Sequence, residues 1–120
     1  MREIAFRGKR VVNGEWVYGY YEEFVNSENH FYWINEPNGD FHDVIPETVG
    51  QYTGLKDRNG VEIYEGDVLE CKVSSEMFVV EFDAKTAQFT TKSNWLWSIL
   101  DRCEVIGNIH DNPELMGEKK

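Results

Sequence analysis

The stretch RVVNGEWVYGYYEEFV, residues 10–25, decides the fold class. Its side chains alternate at a period of two, the signature of a strand with two unlike faces, and helical spacing is absent. Asn13-Gly14 supplies the positive φ angles of a tight hairpin turn, so Arg10 to Val12 are predicted to fold back on Glu15 to Val25. Trp16, Tyr18 and Tyr20 then share one face, with Val17 and Tyr21 on the other.

The same pattern extends outward. Asn26-Ser27-Glu28-Asn29 breaks the strand, His30 to Ile34 begins the next, and Pro37-Asn38-Gly39-Asp40 closes it. Phe41 to Ile45 is a short candidate strand. Pro46 has no N–H to donate, which makes 46–50 a seam between lobes. Beyond it, Asn59-Gly60 marks another turn, Val61 to Tyr64 leads into Gly66, and Asp67 to Val73 reads as a strand. Met77 to Asp83 is predicted as one continuous strand, with Phe78, Val80 and Phe82 facing one way. Gln88 to Thr91 pairs with it. Ser93 is a candidate cap for a short helical turn carrying Trp95, Leu96, Ile99 and Leu100. Cys103 to Ile109 returns to strand, and Asp111 to Met116 fits a capped one-turn helix. The expected architecture is mainly β: an antiparallel hairpin lobe over 1–49, a second β unit over 50–116 with one or two short helical turns, and a flexible tail at 117–120.

Composition sets the outer bounds. The chain has 120 residues, 41% of them hydrophobic and 14% aromatic, with 10 Gly and 3 Pro; this suits one folded domain or two small lobes rather than a disordered chain. The formal charge of -10 argues against binding nucleic acid by phosphate neutralisation. That charge is concentrated: residues 1–12 carry +3 and residues 13–70 carry -11. A solvated strand face is the plain reading of the acidic segment, and a docking face for a basic partner is the sharper one. No run approaches the roughly 20 apolar residues of a membrane span, and Met1 to Ile4 has no apolar region behind its charge, so a cytoplasmic protein without a membrane anchor is expected. Cys71 and Cys103 have no metal-ligand spacing and read as reduced thiols.

Chemistry-bearing patterns are sparse. His30, His42 and His110 belong to no nucleophile motif, and Cys103 and His110, if on one regular strand, point to opposite faces. His42-Asp43 and His110-Asp111 are adjacent pairs without diagnostic metal spacing. Glu62, Glu65, Asp67 and Glu70 invite a carboxylate-pair mechanism, but their separation is undefined; Asp67 after Gly66 reads more simply as a turn carboxylate accepting from backbone N–H groups. No catalytic residue, cofactor or metal is assigned. Core packing is the plain reading of the aromatics Trp16, Tyr18, Tyr20, Phe31, Tyr32 and Trp33; because they exceed what a lobe of about fifty residues can fully bury, an interface with another subunit or partner is the sharper one.

Three segments together resemble the YopX family of phage and prophage proteins: Met1-Arg2-Glu3-Ile4-Ala5-Phe6-Arg7, GQYTGLKDRNGVEIYEGDVL at 50–69, and EVIGNIHDNPELM at 104–116. Gly8-Lys9-Arg10 and His110 depart from the family pattern. The resemblance implies a small SH3-like barrel or roll in the C-terminal half, a bacterial cytoplasmic setting through a phage or prophage, and assembly into homo-oligomers. It implies no catalytic residue. The residues carrying it, Gly54, Asp57, Asn59, Gly60, Ile63, Tyr64, Gly66, Asp67, Gly107 and Asn108, are the kinds that turns, cores and close backbone approaches require.

The function expected is therefore that of a non-enzymatic, self-associating β module that binds protein, its partner being itself and in addition a host or phage protein. A carboxylate- or metal-dependent enzyme is the alternative, and a weak nucleic-acid binder using Arg2, Arg7, Lys9 and Arg10 is the second alternative.

Overall fold

The computed structural model describes residues 5–72, 75–91, 96 and 99–116. Arg2, Ser93, Trp95, Trp97 and the tail at 117–120 lie outside the described residues. Two compact units meet at Tyr52/Thr53, a little beyond the junction expected at 49/50.

In the first unit, β1 (Phe6–Lys9), β2 (Trp16–Val25), β3 (His30–Asn35), β4 (Phe41–Asp43) and the start of β5 (Gly50–Lys56) lie in the order β4-β3-β2-β1-β5, with antiparallel pairing at each junction. Val17, Ile34 and Val44 form the core on one sheet face, packed by Phe6, Tyr21, Tyr32 and Val49. Burying each aliphatic side chain contributes about 1.5–3 kcal/mol. A 3-10 turn at Pro46–Thr48 stands at the predicted seam. There the Thr48 hydroxyl accepts from Lys9 N–H at 2.9 Å and donates to the Ile45 carbonyl at 2.6 Å.

The first turn differs from the tight hairpin expected. Only Gly14 has positive φ, at 75°, so this is not the two-residue turn in which both central residues do. Arg10 N–H donates to Glu15 O and Gly14 N–H donates to Arg10 O, both at 2.9 Å. Val11 and Val12 occupy the loop, exposed, and the strand opposite β2 is Phe6–Lys9, with Lys9 facing Trp16. Gly19 serves close packing instead: a Cβ there would run into the Asn35 carbonyl.

The second unit contains the rest of β5, β6 (Glu62–Tyr64), β7 (Asp67–Cys71), β8 (Met77–Val79), β9 (Glu81–Asp83), β10 (Gln88–Thr90) and β11 (Cys103–Asn108). β5 neighbours β6, β7 lies between β11 and β8, and β9 pairs with β10. Among the described residues the sheets of this unit are not closed on one another, and the barrel implied by resemblance is there a set of separate antiparallel ladders. The predicted strand from Met77 to Asp83 is interrupted at Val80, whose N–H donates to Asp67 O and whose carbonyl accepts from Gly66 N–H, both at 2.9 Å. This break seats Val80 in the core beside Phe78 and leaves Phe82 exposed, against Phe89 at 5.2 Å between ring centroids. The core itself is Ile63, Leu69, Cys71, Val80, Leu96, Ile99 and Cys103.

The family-motif residues act in turns and tethers. Asp57 is buried; Oδ1 accepts from Asn59 N–H (2.8 Å) and Val61 N–H (2.9 Å), while Oδ2 accepts from Val105 N–H on β11 (2.8 Å). Asp57 thereby holds both its own turn and a strand 48 residues away. Gly54, Gly60 and Gly66 all have positive φ. Asp67 Oδ2 accepts from Tyr64 N–H at 2.7 Å, the turn role read from sequence. Gly107 sits at a register shift in β11, where a Cβ would strike the Asn112 side chain. Asn108 Oδ1 accepts from His110 and Asp111 N–H at 2.9 and 2.8 Å. Pro113–Met116 forms the predicted final turn as a 3-10 helix. His110 lies in the turn after β11, not on the strand with Cys103.

Candidate interaction surface

Strand alternation sorts the aromatic candidates by face. On β2 the even-numbered residues Trp16, Tyr18, Tyr20, Glu22 and Phe24 point away from the core that Val17 and Tyr21 join. The register Phe24↔Phe31, Glu22↔Trp33 and Tyr20↔Asn35 places Phe31 and Trp33 of β3 on that same outer face. Trp33↔Asp43 and Asn35↔Phe41 add Asp43 and Phe41 from β4. Tyr32 faces the other way and packs against the core. Five of the six candidates thus share a face. Phe24 and Phe41 complete it; Phe24 was legible as the continuation of the 16-18-20 series, whereas Phe41 needed the β3–β4 register.

The rings form a contiguous cluster. Phe31 and Trp33 lie 5.7 Å apart between centroids with planes 17° apart, and Phe24 lies 6.2 Å from each. Phe41 meets Trp33 edge-on at 5.5 Å. Such pairs add roughly 0.5–1.5 kcal/mol beyond burial, yet Tyr20 and Phe41 remain 61% exposed and Phe24 47%. Single exposed aromatics are ordinary, whereas these form a contiguous and partly exposed group on one sheet face. Trp33 is central, flanked in register by Glu22 and Asp43, and Asn35 Nδ2 donates to Glu22 Oε1 at 2.9 Å.

The face is electrically uneven. At its β1 end the Arg7 guanidinium lies 4.6 Å and the Lys9 ammonium 5.6 Å from the Trp16 ring centroid, cation–π distances. Arg10 is 4.0 Å from Glu15. Arg7 and Lys9 therefore sit over Trp16, and Glu22 and Asp43 flank Trp33 in register, with the Asp43 carbonyl also accepting from Val11 N–H at 3.0 Å.

The reverse face of the same hairpin carries a polar cluster. Tyr21 OH donates to Glu23 Oε2 at 2.8 Å, His30 Nε2 lies 3.5 Å from Glu23 Oε1, and His30 Nδ1 is 3.1 Å from Tyr32 OH. Burial, then the Glu23 carboxylate, raises the Tyr21 phenol well above its ordinary pKa. His42 pairs separately with Glu36 at 3.2 Å. Among the described residues no three His, Cys, Asp or Glu side chains converge on a metal-sized site, and no helix is long and apolar enough to cross a membrane. Of the carboxylates considered for catalysis, Glu62 is exposed, Glu65 and Glu70 are half-buried, and Asp67 is committed to Tyr64 N–H.

The comparison with curated proteins gave no match. Among solved structures the chain is similar in fold to protein EF1440 from Enterococcus faecalis, with TM-score 0.61 and 24% identity over 98% of this chain and 100% of that one. The family model described as YopX protein matches residues 5–117, nearly the whole chain, and on that match the chain belongs to the YopX family.

Proposed function

We propose that this protein is a non-enzymatic β module that acts by binding protein, with a second copy of itself on the outer face of β2, β3 and β4. The observation that carries the reading is the contiguous cluster Phe24, Phe31, Trp33 and Phe41, set on a sheet face opposite the core. Its charge layout favours a like copy. Glu22 and Asp43 flank Trp33 while Arg7 and Lys9 lie over Trp16, so a two-fold contact that sets the Trp33 cluster of one copy against the Trp16 ring of the other brings unlike charges together. A phage or prophage origin and a bacterial cytoplasmic setting rest on the family resemblance, and a host or phage protein is a further partner in this reading.

Light scattering coupled to size exclusion tests it. The native protein is expected to run as an oligomer at micromolar concentration. Trp33→Ala, which removes a central anchor without touching the core, is expected to weaken association by about 2 kcal/mol. A wild-type monomer under those conditions removes the self-association reading.

A further inference from the structure

We propose that Cys71 and Cys103 are a redox-modification site, in which a low-molecular-weight disulfide of the glutathione class converts the two thiols into an intramolecular disulfide stapling β7 to β11. The inference is independent of self-association. The two residues lie directly opposite each other in the antiparallel register, both buried and both in the thiol form. Their main-chain groups face away from one another: Cys71 N–H donates to Glu76 O at 2.8 Å, Cys71 O accepts from Ser75 N–H at 2.7 Å, and Cys103 O accepts from Arg58 N–H at 3.2 Å. The adjacent pair is instead joined directly, with Lys72 N–H donating to Arg102 O at 3.1 Å. Cys71 and Cys103 are therefore a non-hydrogen-bonded pair, the type whose Cα atoms sit about 4.5 Å apart with side chains closest. That lies within the roughly 4.4–6.8 Å a disulfide spans.

The reaction needs only this dithiol and the oxidant. The Cys71 thiolate, the more accessible of the two, attacks one sulfur of the small disulfide. That S–S bond breaks, and the departing thiolate takes up the proton Cys71 released. The Cys103 thiolate then attacks Cys71 Sγ, forming the protein disulfide and expelling the second small thiolate, which takes up the proton from Cys103. Two electrons pass from the protein to the small disulfide, leaving two small thiols. Burial holds the Cys103 thiol up to about 11, so little of it is thiolate near neutral pH and the pair reacts slowly. Oxidation closes a loop over residues 72–102, which carries Val80, Leu96 and Ile99 of the core.

The test equilibrates the native full-length chain with oxidised glutathione, blocks remaining thiols under denaturing conditions, and maps peptides without reduction. The expected product is a peptide joining Cys71 to Cys103 within one chain, lighter by two hydrogens. With it the melting temperature should rise by about 10 °C, from the loop-closure entropy, and dithiothreitol should reverse the rise. Two free thiols after equilibration, glutathione retained on Cys71, or a cross-link between copies would each overturn the proposal.

Discussion

Replacing Asp57 with alanine tests the principal tether of the second unit. The carboxylate accepts three backbone N–H groups, two from its own turn and one from Val105. Hydrogen bonds to a charged group contribute about 1.5–3 kcal/mol, and a buried donor left without an acceptor costs about 1–3 kcal/mol. Asn59 and Val61 are exposed, so water replaces much of what their N–H groups lose, whereas Val105 is half-buried. Assigning about 1 kcal/mol to the turn pair together and about 2–3 kcal/mol to Val105 gives roughly 3–4 kcal/mol for Asp57→Ala. Asp57→Asn retains one oxygen for the turn, but its amide meets Val105 N–H as a second donor, so its cost should be about 2 kcal/mol. Urea unfolding followed by tryptophan fluorescence measures both. A loss under about 1 kcal/mol for the alanine variant, or an asparagine variant as stable as wild type, would refute the tether argument.

Two further outcomes follow from packing and titration. Gly19→Ala should destabilise by about 2 kcal/mol, because the new Cβ meets the Asn35 carbonyl; on an open strand the same change would stabilise slightly, so the sign measured by thermal unfolding decides. Burial raises the folded Cys103 thiol from 9.0 to about 11. A raised folded pKa means stability is full below the unfolded value and falls as pH climbs from about 9 to about 11. Urea midpoints at about pH 8 and pH 10.5 should therefore drop less in Cys103→Ala than in wild type, with equal drops contradicting the assignment.

The legible part of this molecule is local. Period-two alternation in Trp16 to Val25 announces the strand and sorts its faces, and the same rule extended a few residues reaches Phe24. Glycines at 14, 60 and 66 mark turns because only glycine adopts positive φ without strain. The turn type was less legible: Asn13-Gly14 suits a two-residue hairpin, yet the bonds between Arg10 and Glu15 close a longer loop around a single positive-φ residue. Phe82 was misplaced for a related reason. Alternation continues through Met77 to Asp83 in sequence, but Val80 turns to bond with Gly66 and Asp67, and the face is lost beyond it.

The sequence by itself determined the β class, most of the strand segments and the turns that glycine makes. These follow from side-chain sterics and φ preferences over a few neighbouring residues. Only the tertiary structure decided that Phe41 joins Trp33, that Asp57 reaches Val105, that Cys71 faces Cys103, and that Tyr32 turns inward. Each depends on which strands pair and in what register. Backbone N–H and C=O groups are alike at every position, so a one-residue slip satisfies them equally while moving every side chain to the opposite face. The choice among registers is made by the packed cores as wholes.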